Sequence, residues 1–345
     1  MPLNCGGGES DLGNDINENP DSSSEEEIIC VPCSGDFEVS SQTELDGLKY
    51  CSSISGQLFI DDSNLLSLSP NNKPLCLESI GKGITISSNA LLEDLDGLSN
   101  LTEVNGRIEL ITSPSLKSIQ GISNIEKLAG GFYLEGNPSV EKIEGFNALE
   151  GVGGAIIIYD NPGLSTVNGF ATLASLDGEL SIQNNASMAS VSGFDSLKLI
   201  PGKISITNNP ALIEITGFSS LVKIAGLLSI NDNESLTSIE GFQDVLEIES
   251  SMTVARNKAL KTVSILPRVS TIKGDFLILE NAVLSTIQSF AGLKTIGGDL
   301  NIRSNGLIQD LDWLPSVISV AGDLEINANP SLQNIDPLTG ISSVG

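Results

Sequence analysis

An asparagine that recurs every 24 residues constrains this chain more than any other feature. The series starts at Asn89 and continues through Asn137, Asn161, Asn185, Asn209, Asn233, Asn257, Asn281, Asn305 and Asn329. Only the slot at Ser113 holds a different residue. A unit of this size cannot bury its own apolar face, so the spacing predicts a solenoid whose turns stack on one another.

Each repeat also carries a short alternating pattern just before its asparagine. The residues five and three positions earlier are apolar, as at Ile204 and Ile206, and polar or small residues lie between and around them. A period of two over so short a span indicates a half-buried strand, which adds about 4.8 Å of parallel sheet per turn. We therefore predict a mainly β fold, a parallel β-solenoid of about twelve turns.

The repeated asparagines are expected to be structural. We call the series from Asn89 to Asn329, with Ser113, the asparagine ladder. A turn asparagine can pair its amide with backbone groups of its own coil and of the neighbouring coil. A phenylalanine column that includes Phe194 and Phe218 is expected to fill the interior of the coil.

The ends of the chain depart from the repeat. Residues 34–53 are interpreted as an N-terminal cap, with Ser41 and Glu44 at capping-box spacing and a short helix expected over 42–50. Regular turns fill 54–345, and no closing helix follows, so we expect that the C-terminal cap is missing.

Residues 1–33 are acidic and poor in apolar residues, which predicts a disordered tether. Within it, Pro2-Leu3-Asn4-Cys5 resembles the end of a bacterial lipoprotein signal, so Cys5 is a candidate lipidation site. A chance cysteine in a tail is the alternative interpretation.

The other four cysteines, Cys30, Cys33, Cys51 and Cys76, all lie before residue 77. Such clustering at one end favours disulfides that staple a cap in an oxidising compartment. Cys51 and Cys76 fall at nearly the same point of consecutive coils, so we expect a Cys51–Cys76 bridge. A zinc site that uses Cys30-x-x-Cys33 is the alternative.

Charge and composition narrow the functional classes. The net charge is -27 and histidine is absent. Nucleic acid and anionic membrane surfaces both reward Lys and Arg, so neither is an expected partner, and membrane contact would need a lipid on Cys5. The lack of His removes the commonest general base and metal ligand.

Two motifs together resemble a known family. Cys51-x-x-Ile54-x-Gly56-x-Leu58-x-Ile60, followed by repeats such as Ile224-Ala-Gly-Leu-Leu-Ser-Ile-Asn-Asp-Asn233, resembles the receptor L domain over residues 35–345. That family includes growth-factor-receptor ectodomains and bacterial surface lipoproteins. The resemblance implies a right-handed solenoid related to leucine-rich repeats, which binds proteins or is structural and has no catalytic residues; the bacterial surface lipoproteins look closest.

Two groups of outward residues are candidate sites. Tyr133, Ile157 and Tyr159, with Ile111, place apolar bulk on a strand face whose central column is mostly small and polar, which predicts a partner-binding patch; Leu277 and Leu279 form a second, smaller patch. Tolerated exposure, or contact with a missing segment, is the alternative.

Asp275, Asp299 and Asp323 repeat in one outward slot of three turns, where a cation such as Ca²⁺ would relieve their repulsion. A solvated acidic face, neutralised by Lys273 and Arg303, is the alternative, and no other cofactor is indicated.

These features predict a non-enzymatic binding or adhesion module, extracellular or on the cell surface, that recognises a protein or a surface glycan; an outer-membrane lipoprotein is one form that such a module takes. The rival prediction is a parallel β-helix polysaccharide lyase or hydrolase that uses surface carboxylates, but uniform turns without long insertions argue against it. An ice-binding solenoid is a third class, which would favour flat ranks of Thr.

Overall fold

The computed structural model describes residues 29–288 and 290–345 and shows a parallel β-solenoid of about 13 turns of about 24 residues. Its largest sheet, the broad sheet, contains thirteen parallel strands and therefore runs the length of the coil. The cap strand Phe37–Val39 supplies the first turn. The strands of the broad sheet are Phe37–Val39, Leu58–Asp61, Ile84–Ser87, Ile108–Ile111, Phe132–Glu135, Ile156–Tyr159, Leu180–Gln183, Ile204–Thr207, Leu228–Asn231, Met252–Ala255, Phe276–Leu279, Leu300–Arg303 and Leu324–Asn327.

Shorter strands form the other sides of the coil in three sheets of seven strands. The first comprises Val31–Cys33, Cys51–Ile54, Ser79–Ile80, Glu103–Val104, Lys127–Leu128, Gly151–Val152 and Ser175–Leu176. The second follows it in sequence along the coil and comprises Leu199–Ile200, Lys223–Ile224, Glu247–Ile248, Thr271–Ile272, Thr295–Ile296, Ser319–Val320 and Ser343–Val344. The third, called here the flank sheet, comprises Lys142–Ile143, Thr166–Val167, Ser190–Val191, Glu214–Ile215, Ser238–Ile239, Thr262–Val263 and Thr286–Ile287.

One α-helix, Gln42–Leu48, lies at the N-terminal end and buries Leu45 and Leu48. The capping-box spacing has its effect through the carboxylate alone. Glu44 accepts the Ser40 N–H at 2.8 Å and the Ser41 hydroxyl at 3.0 Å, and these bonds lower the pKa of Glu44. The 3₁₀ segments are Pro70–Asn72, Asp96–Leu98, Gln120–Ile122 and Asp336–Gly340.

The interior is one continuous apolar column. Phe146, Phe170, Phe194, Phe218 and Phe242 stack from turn to turn with ring centroids 4.7–5.5 Å apart. Leu266 interrupts the stack before Phe290 continues the column. The predicted use of this column as core is therefore confirmed, because all of these side chains are buried.

The turn that ends each broad strand has left-handed backbone just before the ladder position. Thr112, Asp160, Asn208 and Arg256 there have φ of 47°, 53°, 56° and 54°, and Gly136 has φ 68°. Side chains other than glycine pay a steric cost in this region. Other contacts must therefore stabilise this left-handed backbone. The hydrogen bonds of the asparagine ladder, at the next residue, are the nearest such contacts.

The N-terminal boundary differs from the predicted one. Val31–Cys33 is a strand paired in parallel with Cys51–Ile54, so these residues belong to the coil and not to a tether ending at 33. Residues 1–28, which include Cys5, lie outside the described residues.

The predicted Cys51–Cys76 bridge is wrong. Cys30 is bonded to Cys76 and Cys33 to Cys51, with Cα atoms 6.0 Å and 5.4 Å apart. The strand Val31–Cys33 packs beside Cys51–Ile54 and takes the place next to Cys51. The zinc alternative also fails, because oxidised sulfurs are not thiolate ligands. Two disulfides indicate an oxidising compartment.

Among the described residues, no helix has the length and apolar character that crossing a bilayer requires.

Candidate functional site

The asparagine ladder joins neighbouring turns through side-chain amides, except at Ser113, where a hydroxyl takes the place of the amide. Asn209 Oδ1 accepts the N–H of Asn185 at 3.0 Å, and Asn209 Nδ2 donates to the carbonyls of Ile182 at 3.0 Å and Thr207 at 3.1 Å. Its side chain is fully buried. The same bonding from turn to turn involves Asn137, Asn161, Asn185, Asn233, Asn257, Asn281, Asn305 and Asn329. The ladder is structural and is not accessible to a partner, and Asn329, at the last turn, is half-buried.

The exposed surface of the broad sheet is the accessible face that carries the predicted site residues. Its two outward columns are the second and fourth residues of the strands. From Ser181 to Thr253 the first of these columns holds only Ser and Thr, and Gln183 Nε2 donates to Ser181 and Ser205 across it. This half of the face is small, polar and internally bonded.

Apolar side chains interrupt the polar face on two neighbouring strands. The register places Tyr133 beside Ile157 and Glu135 beside Tyr159. Tyr159 is 37% exposed, whereas Tyr133 and Ile157 are half-buried. The structure therefore brings three of the predicted patch residues together on one outward surface, with Glu135 as an additional exposed member. We call Tyr133, Glu135, Ile157 and Tyr159 the tyrosine patch.

Ile111 lies at the edge of this patch. It pairs in register with Glu135, so a full turn separates it from Tyr159. It is half-buried. Ile111 therefore extends the apolar surface on the far side of Glu135 and does not contact the strand of Tyr159.

Tyr133 is held by its surroundings. A Cβ added at Gly131 would lie 2.7 Å from Tyr133 Cε2, so the ring covers this glycine. The guanidinium carbon of Arg107 lies 5.9 Å from the ring centroid, and Arg107 Nε is 3.0 Å from Glu109 Oε1. Gly131 and Arg107 fix the tyrosine without being part of the predicted patch.

The aspartate column does not form a metal centre. Asp275 Oδ1 accepts the Asp299 N–H at 2.9 Å, and Asp299 Oδ1 accepts the Asp323 N–H at 2.8 Å. Nowhere in 29–288 or 290–345 do three or more acidic or sulfur side chains gather in a group that could hold a metal ion. The predicted Ca²⁺ site is thus corrected to a second, shorter ladder, because the carboxylates of Asp275 and Asp299 each accept the backbone N–H of the next turn.

A cleft of about 370 Å³ lies at the N-terminal end of the same face. It is lined by Glu38, Glu44, Phe59 and Asp61, among others. Glu38 pairs with Phe59 in the broad sheet, and Asp61 accepts the Ser87 hydroxyl at 2.6 Å. The cleft thus continues the combination of aromatic and acidic side chains that the tyrosine patch shows.

The charges elsewhere on the coil mostly pair between turns. Lys223 and Lys273 both lie 2.8 Å from Glu249 Oε1, and Arg256 donates two bonds of 2.7 Å to Asp232. Of the described ion pairs, only Arg107–Glu109 lies within one turn. Ten cationic side chains pair between turns and Arg107 pairs within one, and acidic residues outnumber basic ones 44 to 17, so the surface carries a net negative charge.

Sequence reasoning missed Glu135 and Gly131. Glu135 could have been found, because it stands 24 residues after Ile111 and 24 before Tyr159 in the same outward column. Gly131 gives no such signal, since glycines near the starts of strands are common in this chain.

Comparison with known protein families matched no family model, and comparison with curated proteins found no significant match.

Proposed function

We propose that this protein is a non-enzymatic binding or adhesion module, extracellular or on the cell surface, that meets its partner through the tyrosine patch. The observation that carries the proposal is the patch itself, an exposed Tyr159 beside Ile157 and Tyr133, next to the stretch from Ser181 to Thr253 whose outward column holds only Ser and Thr. Large apolar and aromatic side chains on a rigid face cost little alone and gain most when a partner covers them.

The disulfides and the shape of the coil support this assignment. Cys30–Cys76 and Cys33–Cys51 fit an exported protein. Stacked turns of uniform length give an extended, rigid surface, which repeat proteins use for binding. A membrane anchor through a lipid on Cys5 and a relation to receptor L-type repeats of bacterial surface lipoproteins belong to the same proposal.

Site-specific photo-crosslinking tests the proposal. A photoreactive phenylalanine analogue replaces Tyr159 in one variant and Tyr50, an exposed tyrosine at the cap, in a matched variant. Both are incubated with intact cells and with cell-surface extracts and irradiated. We expect saturable crosslinks from position 159 that unlabelled protein competes away, and none from position 50.

Equal labelling from both positions would reject the patch as the binding surface. The same protein is incubated with a panel of acidic and neutral polysaccharides. Release of reducing ends or of unsaturated products would replace the binding proposal with the polysaccharide lyase or hydrolase.

A further inference from the structure

We propose that the tyrosine patch recognises a cationic polypeptide segment, with a Lys or Arg side chain seated between Tyr159 and Glu135. This inference rests on the proposed function and names the partner chemistry of the same surface. It follows from an arrangement that occurs twice on the broad sheet, a glutamate in register with a tyrosine on the next strand. In one of the two instances a cation of the chain itself lies beside the pair.

The completed copy lies one turn earlier. Glu109 pairs in register with Tyr133 on the next strand. Arg107 occupies the space beside both, 3.0 Å from the carboxylate of Glu109 and 5.9 Å from the ring centroid of Tyr133. A guanidinium next to a carboxylate and over an aromatic ring gains from charge and from the ring quadrupole.

The second copy repeats the first in the other outward column. Glu135 pairs in register with Tyr159 on the next strand, as Glu109 does with Tyr133. Both side chains are exposed. Among the described residues, Glu135 has no ion-pair partner, and the side chain that follows Tyr159 is another acid, Asp160. A carboxylate and a tyrosine therefore stand in the same register as at the Arg107 site, here exposed and without the cation.

The charge balance of the molecule favours a cation from outside. The sequence has 44 acidic and 17 basic residues, and most of the basic residues are engaged in ion pairs between turns. A surface of this sign attracts cationic partners over long range and raises their association rate. Half-buried Ile111 and Ile157 flank the Glu135–Tyr159 pair and offer apolar contact to the stem of a Lys or Arg side chain.

A polypeptide fits this surface better than a neutral sugar does. A neutral sugar could stack on Tyr159 and donate a hydroxyl to Glu135, but only a cationic side chain also neutralises the carboxylate charge. The cleft at Glu38, Phe59 and Asp61 lies on the same columns, four turns from Tyr159. Four turns span about 19 Å, which an extended segment of about six residues covers. One short basic segment could therefore meet both acidic and aromatic positions.

The test uses a labelled octapeptide that alternates Arg and Ser, and a matched peptide in which citrulline replaces each Arg. Citrulline keeps the shape of the side chain and removes its charge. Binding is measured by fluorescence anisotropy in 150 mM salt, where diffuse attraction is screened. We expect the Arg peptide to bind and the citrulline peptide to bind at least about fivefold more weakly.

Four variants locate the site. Glu135→Gln and Tyr159→Ser are each expected to raise the Kd of the Arg peptide about fivefold. The matched controls Glu214→Gln, on the flank sheet, and Tyr50→Ser, at the cap, are expected to leave it unchanged. All four residues are outside the core, and unchanged thermal unfolding of each variant verifies folding.

Three results would overturn the inference. Equal weakening by Glu135→Gln and Glu214→Gln would mean diffuse attraction to an acidic protein. Equal affinity for the citrulline peptide would mean that charge is not recognised. Binding of a neutral glycan that Tyr159→Ser abolishes and Glu135→Gln leaves intact would assign the patch to glycans; the crosslinks from position 159 would then still support the proposed function.

Discussion

In the turns of this solenoid, a residue with strained backbone torsions is followed by a residue whose side chain is hydrogen-bonded. The residue before the ladder position adopts left-handed backbone even where it is the β-branched Thr112. In every turn from Asn89 to Asn329 except that of Ser113, the next residue offers an amide that binds backbone groups; the buried amide of Asn209 binds three. Since unpaired buried backbone groups are costly, the amide bonds offset the torsional strain. This explains why the asparagine repeats more strictly than the residue before it.

Removal of one ladder amide should be strongly destabilising. Asn209→Ala leaves the N–H of Asn185 and the carbonyl of Ile182 buried and without this partner. The expected loss in the free energy of unfolding is about 1–3 kcal/mol, measured by denaturant unfolding. An unchanged midpoint and slope would mean that the column does not stabilise the coil.

Ser113 is the ladder position at which the native residue lacks a side-chain amide, so an amide can be added there. Its hydroxyl accepts the Asn89 N–H at 3.4 Å, and it is too short to supply the amide that would reach Ile86, 27 residues earlier, as Asn137 reaches Leu110. Ser113→Asn should restore that bond and raise the free energy of unfolding by about 1 kcal/mol. A loss of stability instead would show that the turn has adapted to serine.

At the scale of elements, the N-terminal end is where the regular coil needs help. The first strands have only one neighbouring turn, so hydrogen bonding and burial there are incomplete without a cap. The helix Gln42–Leu48 covers the interior, and Asp36 accepts the Gln57 N–H at 2.9 Å and lies 3.1 Å from Lys82 Nζ, which lowers the pKa of Asp36. The two disulfides then tie the strand Val31–Cys33 to the next two turns.

The disulfide pairing gives a direct prediction. A non-reduced digest analysed by mass spectrometry should contain Cys30–Cys76 and Cys33–Cys51 linked peptides. Replacement of Cys30 and Cys76 by Ser should lower the free energy of unfolding by about 2–4 kcal/mol, because the bridge closes the longer loop. Recovery of a Cys51–Cys76 peptide would contradict the structure. The matched comparison is the replacement of Cys33 and Cys51 by Ser. The bridge between these two cysteines spans a sequence separation of only 18 residues.

The sequence was sufficient for the elements that repeat and insufficient for those that do not. The period of 24 predicted the parallel strands, and the spacing of Ser41, Glu44 and Leu45 predicted the helix within two residues. Cysteine pairing was mispredicted because the register of Val31–Cys33 depends on a strand that occurs once. Tyr133 and Tyr159 were identifiable from their columns, but the contact of Arg107 with the Tyr133 ring depends on side-chain direction, which spacing does not fix.

At the scale of the whole molecule, charge has two opposite effects. Cross-turn pairs such as Lys223–Glu249–Lys273 hold neighbouring turns together. The surplus behind the net charge of -27 repels itself. Acidification toward the pI of about 4.1 reduces this repulsion. Stronger acidification protonates the paired carboxylates and so breaks the cross-turn ion pairs. Stability should therefore pass through a maximum on the acid side of neutrality.

Glu249 is the carboxylate in which the stabilising effect of a cross-turn ion pair can be isolated. Hydrogen bonds from Lys223 and Lys273 lower the pKa of Glu249 from 4.5 to about 2. A folded-state pKa below the unfolded value means that the contribution is complete above pH 4.5 and is lost as pH falls toward 2. Glu249→Gln should therefore melt at a lower temperature than the wild type at pH 6, and the difference should shrink to nothing near pH 2.

The control for this prediction is Glu240→Gln. Glu240 is exposed, and within the described part of the chain it has no ion pair, so its substitution removes the same charge without breaking a cross-turn contact. At pH 6 this variant should melt at or slightly above the wild-type temperature, since one repulsive charge is gone. Melting curves recorded from pH 6 to pH 2 separate the two cases. If the melting temperature of Glu249→Gln followed that of the control at every pH, the Lys223–Glu249–Lys273 contacts would contribute nothing measurable to stability.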